Sequence, residues 1–207
     1  MTVLAAHRWP TNAHLIADVA ALGYLRKEWR TLDVTYGEGV FWRRWQPDRL
    51  TRTDLDPAKS PDHPDGVDFR RLPFVTAAFD VVVLDPPYAL RGTPASAGMD
   101  ARYGTDVVSS WQDRHQLIRD GITECARVAS RVLLLKCQPQ VCSGAVRWQD
   151  IEFVNHAATV GLVLVDRFDM LGTARPQPAR TRADGKPSVQ QHAHGRPSCL
   201  LVFRVQR

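Results

Sequence analysis

The period of the apolar positions changes repeatedly along the chain, and each change marks an element. Leu15, Ile16, Val19, Ala20 and Leu22 recur three and four apart, the stripe of an amphipathic helix opened by a Thr11 or Asn12 cap. Thr31–Tyr36 is a short strand followed by Gly37-Glu38-Gly39. Phe41, Trp42 and Trp45 then return to helical spacing. Leu50–Thr53 predicts a second strand, 57–65 a proline-rich loop, and Val67–Phe69 a third, short strand. Phe79–Leu84 predicts a fourth, and its unbroken run Val81-Val82-Val83-Leu84 suits a strand buried on both faces. The stretch 91–110, with Gly92, Gly98 and Gly104, reads as a loop. Trp111–Ser130 is a helix presenting Leu117, Ile118, Ile122 and Val128. Arg131–Lys136 is a fifth strand, Ile151–Val160 a helix, and Leu162–Leu171 and Cys199–Val205 the last two strands. Strands alternating with helices predict an α/β domain with a mainly parallel sheet. Two final strands with no helix between them predict an antiparallel pair at one edge. The expected architecture is seven strands with helices on both faces, in one domain spanning 1–207.

The fourth strand stops at Asp85-Pro86-Pro87-Tyr88. Two prolines fix φ, remove two N–H donors and end the strand. The corner falls at the carboxyl end of a strand, where open α/β sheets hold ligands. It offers a carboxylate, backbone carbonyls without competing donors, and an aromatic ring. That set suits a flat group bearing an exocyclic amine: Asp85 and a proline carbonyl accept from the NH2, and Tyr88 stacks on the ring. Asp85, Pro86, Pro87 and Tyr88 are the candidate catalytic residues.

Other strand ends carry chemistry of a related kind. Asp33-Val34-Thr35-Tyr36-Gly37-Glu38-Gly39 closes the first strand with glycines that allow close approach of a ligand to the backbone. Asp54 ends the second strand, roughly 20 residues beyond that turn, where nucleotide-binding α/β folds hold ribose hydroxyls. Asp68 can accept from an adenine amine and Phe69 can stack on its ring. Asp33, Thr35, Tyr36, Gly37, Gly39, Asp54, Asp68 and Phe69 are the candidate cofactor-binding residues.

Composition adds less. The chain has 207 residues, 44% hydrophobic and 24% charged, ordinary for a globular domain. No apolar run is long enough to span a bilayer, and the first ten residues lack a signal-peptide layout, so a cytoplasmic location is expected. Cys125, Cys137, Cys142 and Cys199 show no paired metal spacing and are expected as reduced, buried thiols, with no metal. The formal charge of +5 is concentrated: Arg175, Arg180, Arg182, Lys186 and Arg196 face the single acid Asp184 within 173–198, a local charge of +4. That Pro- and Arg-rich segment is a candidate phosphate-binding arm, and a solvated loop is the alternative. His115 and Trp111 read as packing residues on a helix.

Taken in order, these motifs resemble those of the amino-methyltransferases that use S-adenosylmethionine to methylate exocyclic amines of nucleobases. Asp85–Tyr88 is similar to the catalytic signature of that family, Gly37-Glu38-Gly39 to its cofactor loop, and Asp68 with Leu72-Pro73-Phe74 to its adenine-side motif. Further blocks resemble small bacteriophage- and actinobacterial-type DNA methyltransferases: Asp33-x-Thr-Tyr-Gly-x-Gly-x-Phe-Trp, Lys136-Cys137-Gln138 with Ser143-Gly144, Arg175-Pro-Gln-Pro, Gln190-Gln-His-Ala and Leu200-Leu-Val-Phe-Arg. The family's usual Pro and Phe before the glycines are Val34 and Thr35 here. The resemblance implies a Rossmann-like class I methyltransferase fold, S-adenosylmethionine as cofactor, DNA as partner and adenine N6 as target. Cytosine N4, an RNA base, or a catalytically silent nucleic-acid-binding module are the alternatives. No separate target-recognition domain is evident.

Overall fold

Strand β3 (Phe79–Leu84) organises the molecule. Val81, Val82, Val83 and Leu84 are all fully buried, because successive side chains enter different cores on opposite faces of the sheet. Val81 and Val83 pack with Leu15, Ile16 and Val19 of helix α1 (Asn12–Ala21). Val82 and Leu84 pack with Ile118 and Ile122 of α2 (Trp111–Val128) and Phe153 of α3 (Gln149–Thr159). The continuous apolar run is therefore the signature of a sheet covered twice. The structure, a computed structural model, describes residues 9–90, 110–171 and 197–206.

The main sheet also contains β1 (Arg30–Asp33), β2 (Arg49–Arg52), β4 (Ala129–Cys137), β7 (Leu162–Met170) and β8 (Ser198–Val205), in the order β2-β1-β3-β4-β8-β7. β1 pairs in parallel with both β2 and β3, and β3 with β4. The strand order thus reverses at β1 and β3, opening a crevice at their carboxyl ends. β8 is antiparallel to both its neighbours, so it lies inside the sheet, with β7 as the edge. The β7 edge is interrupted by a register shift between Leu164 and Asp166 and carries Asp166, Arg167 and Asp169, features that discourage pairing with another chain.

The sheet has six strands among the described residues, not seven. Val67–Phe69 forms no strand, because local turns consume its backbone. Gly66 sits at φ +76°, Val67 N–H donates once to the Asp54 carbonyl (2.7 Å), and Asp68 immediately opens another turn with Arg71 N–H on its carbonyl (2.8 Å). The helix expected around Phe41–Trp45 is a single 3-10 turn, Val40–Trp42. A two-stranded hairpin not anticipated from the pattern, β5 (Gln140–Cys142) with β6 (Ala145–Arg147), follows β4. Helix α2 begins where expected, fixed by a reciprocal cap: Ser110 Oγ accepts Asp113 N–H while Asp113 accepts Ser110 N–H. No helix among the described residues is long and apolar enough to cross a membrane. The four cysteines are buried thiols.

Candidate functional site

Three carboxylates stand at the carboxyl ends of three adjacent strands: Asp33 closes β1, Asp54 follows β2 and Asp85 follows β3. Asp33 is the most committed. Its Oδ2 accepts Trp42 Nε1–H at 2.7 Å and its Oδ1 accepts Thr35 N–H at 3.0 Å. Burial nevertheless pushes its pKa up to about 7, with repulsion from Asp85 and Asp54 adding to the rise. The folded protein therefore holds a proton that the unfolded chain releases near its ordinary value of 3.8. Stability from this group is full below that value and falls as pH rises towards 7, by on the order of 4 kcal/mol. Denaturant melts at a series of pH values are expected to show a steeper fall for the native protein than for Asp33→Asn. Equal slopes would place the titration elsewhere.

Asp54 is recessed beneath the glycine turn. Its Oδ2 accepts Gly37 N–H and its Oδ1 accepts Asp56 N–H, each at 3.0 Å. Each oxygen keeps a further lone pair for a hydroxyl. Gly37 has φ +54°, and a Cβ built there would meet nothing nearer than the Thr35 carbonyl at 3.9 Å. Gly39, at φ +63°, is different: a Cβ would lie 2.6 Å from the Tyr36 hydroxyl. The Tyr36 ring closes over the glycine turn with the Arg52 guanidinium 5.8 Å from its centre. It stands among the residues packed against the α1-side core and does not line the cavity described below.

That cavity is narrow and partly open to solvent, and reaches about 400 Å³ only when the open space at its mouth is counted. It brings together Thr35, Asp54, Asp68 and Phe69 with the proline corner at Pro87. Val34, Leu55, Arg70 and Leu117 also line it; no motif separates them from core or surface positions. Asp68 is less free than its motif suggests. Arg70 grips both its oxygens, with Nη2 to Oδ2 at 2.6 Å, and this pairing offsets the effect of burial and holds the carboxyl below its ordinary pKa. Phe69 presses against Gly121 of α2, where a Cβ would fall 2.6 Å from its ring.

Asp85 contrasts with these acids. Its Oδ1 is buried and has no hydrogen-bond partner among the described residues. Burial raises its pKa above the ordinary carboxylate value, opposed by the charge of Lys136 at the end of β4. Its N–H donates to Thr35 Oγ1 at 2.8 Å, so Thr35, where the resembled family carries Phe, ties the end of β1 to the Asp85 backbone. The Pro86 carbonyl accepts Tyr88 N–H at 2.7 Å in a tight turn, leaving its second lone pair for another donor. The Tyr88 carbonyl is held by Gln140 Nε2 (2.9 Å) and Gln149 Nε2 (2.8 Å), and Gln149 is fully buried. Lys136 is buried, donates to Asn12 Oδ1 of α1 at 2.5 Å and lies over the Phe41 ring. Lys136 fell within the Lys136-Cys137-Gln138 block, whereas the roles of Asn12, Gln140 and Gln149 as anchors were not legible as motif positions. Arg175, Arg180, Arg182, Lys186 and Arg196 lie outside the described residues.

No protein-family model and no curated protein matches this chain by sequence. Solved structures do match by fold. NodS, an N-methyltransferase of Bradyrhizobium japonicum, superposes with a TM-score of 0.54 at 13% identity, covering 93% of this chain and 95% of that one. Magnesium protoporphyrin IX methyltransferase of Synechocystis, solved with bound S-adenosylmethionine, gives 0.55 at 12% identity over 94% and 78%. SpnF, a [4+2]-cyclase, gives 0.57 at 14% identity over 93% and 80%. The fold is that of the class I methyltransferases. Since a cyclase shares it, the reaction has to be argued from the site.

Proposed function

We propose that this protein transfers a methyl group from S-adenosylmethionine to an exocyclic amine of a nucleobase in DNA, adenine N6 first. The observation that carries the reading is the buried, unpartnered Asp85 Oδ1 at the proline corner beside the cavity. A buried carboxylate oxygen without a partner is costly and calls for a donor. An exocyclic NH2 supplies one.

The residues fit the cofactor. Asp54 keeps lone pairs for ribose hydroxyls, and Val34, Phe69, Leu117 and Pro87 give the cavity apolar walls for a purine ring. Gly37 leaves its backbone approachable. Asp54 and Asp85, when ionised, favour a cationic ligand. When bound, S-adenosylmethionine supplies an electrophilic methyl group on a sulfonium. Asp85 Oδ1 and the spare lone pair of the Pro86 carbonyl then accept the two amine hydrogens. Those bonds favour a pyramidal nitrogen whose lone pair is released from the ring, and positioning supplies much of the acceleration. Transfer would break the S–CH3 bond, leave a neutral thioether and make the nitrogen cationic and acidic, and Asp85 would accept its proton for transfer to water. The Tyr88 ring stacks on the target base, repaying part of the few kcal/mol needed to extrude it.

Transfer of tritiated methyl to DNA and to RNA, offered separately and then digested to nucleosides, tests the reading. The expected product is N6-methyladenine in DNA. Label in N4-methylcytosine or in RNA would retain the chemistry and change the substrate. Binding of S-adenosylmethionine with no label in either polymer would overturn the substrate class.

A further inference from the structure

A second groove opens beside the proline corner. Trp111 and His115 of α2, Arg147 of β6, Trp148, and Ile151 and Glu152 of α3 line it, and its empty space is about 660 Å³. Three features distinguish it from packing leftovers. First, the Arg147 guanidinium stacks on the Trp111 indole, 3.9 Å from the ring centre, yet among the described residues no carboxylate pairs with it and its buried Nε has no hydrogen-bond partner. Glu152, the groove's acid, is already bound by His115 Nδ1 (2.6 Å) and by Arg119. Among the described residues the groove therefore presents a guanidinium with no carboxylate of its own. Second, the adjacent Trp148 is 46% exposed and Ile151 55%, a large aromatic and an aliphatic side chain left facing water. Third, His115 is only 1% exposed, and its Nε2, with Nδ1 engaged by Glu152, has no partner among the described residues.

Hydrogen bonds tie the hairpin that carries the groove to the residues after Asp85. Arg147 is the register partner of Gln140, and Gln140 and Gln149 both donate to the Tyr88 carbonyl. A strand whose target base stands at Tyr88 would pass along this hairpin.

We propose that the groove seats a nucleotide neighbouring the target base of a single-stranded or locally opened nucleic acid, its base stacked on Trp148 and its phosphate held by Arg147. The chemistry matches: an aromatic face for any base, an unpaired guanidinium for the phosphate, and a buried imidazole nitrogen for a base or sugar hydrogen-bonding group. The inference rests on the nucleobase-methylating reading of the Asp85 site and deepens it, since the protein would then hold its substrate at two points.

The test is fluorescence anisotropy with a labelled single-stranded oligonucleotide of mixed sequence, about 12 nucleotides long, across a salt series. Binding is compared for the native protein, Trp148→Ala, Arg147→Gln and Arg147→Lys. Trp148→Ala is expected to weaken binding about tenfold. Arg147→Gln should do the same and reduce the phosphate-linked salt slope by about one contact. Arg147→Lys should restore the salt slope while losing the stacked geometry. A merely structural role for Arg147 would not move that slope, and cofactor calorimetry on each variant reports whether it is folded. Native protein that binds and methylates the oligonucleotide, with variants binding equally well, overturns the groove and leaves the Asp85 reading intact. Binding that is weakened in the variants without any methylation supports the groove and overturns methylation. Native protein that binds no oligonucleotide overturns both.

Discussion

Asp85→Ala is expected to lower methyl transfer by about a thousandfold and to leave S-adenosylmethionine affinity within about twofold. The asymmetry follows from where the side chain points. The Asp85 backbone N–H is fixed by Thr35, a bond the substitution keeps, so the corner retains its shape. The carboxylate does none of this work: its Oδ1 is buried and unpartnered. Removing it takes away the acceptor for the target amine and leaves the ribose-side Asp54 and the apolar walls in place. Stability gives an independent sign. Burial raises the Asp85 pKa, so the folded state carries an electrostatic cost at neutral pH that an alanine does not. The variant should therefore melt no lower than the native protein at pH 8. A residue kept for structure would show the reverse, with lost stability and retained turnover. Paired measurements of single-turnover rate, calorimetric cofactor affinity and thermal melting separate the two cases.

The parts of this site that were legible in the sequence are those whose meaning is local. A run of four apolar residues ended by two prolines needs no partner to be read as a buried strand meeting a corner. The acids at strand ends follow from the same reading. What was lost depended on neighbours distant in the chain. Thr35 holds Asp85 from 50 residues away, and Gln140 and Gln149 hold Tyr88 from 52 and 61 away. No spacing rule finds such pairs. Val67–Phe69 misled because an apolar-polar-apolar triplet looks like a strand, while Gly66 and the Asp68–Arg70 turn on either side leave it one ladder bond. The β5–β6 hairpin has strands of three residues, too short for any period to register. Its signal lay in the turn instead: Ser143 and Gly144 both take positive φ, as a two-residue hairpin connection requires. Leu117 follows the helical stripe faithfully, and that stripe gives no hint that it also lines the cavity.

Gly121→Ala sets local propensity against packing and is expected to damage cofactor binding. Gly121 lies inside α2, an exposed version of which would gain about 1 kcal/mol from the change. Here the new Cβ would lie 2.6 and 2.7 Å from two atoms of the Phe69 ring, well inside contact distance. Forcing a methyl group into a filled core costs about 1–3 kcal/mol, so packing outweighs propensity and the melting temperature should fall. To relieve the contact the ring has to move away from α2. It already lines the cavity with Leu117 and Asp68, so displacement away from α2 carries it into the space proposed for the adenine of S-adenosylmethionine. Cofactor affinity should drop by about tenfold or more, the loss that accompanies about 1.4 kcal/mol of strain on binding. Pairing Gly121→Ala with Phe69→Leu restores room for the Cβ. The double variant should therefore recover stability relative to Gly121→Ala alone, a coupling that a double-mutant cycle reads directly. A single variant that melts and binds like the native protein would show that the ring moves at no cost, and would remove Phe69 from the cofactor wall.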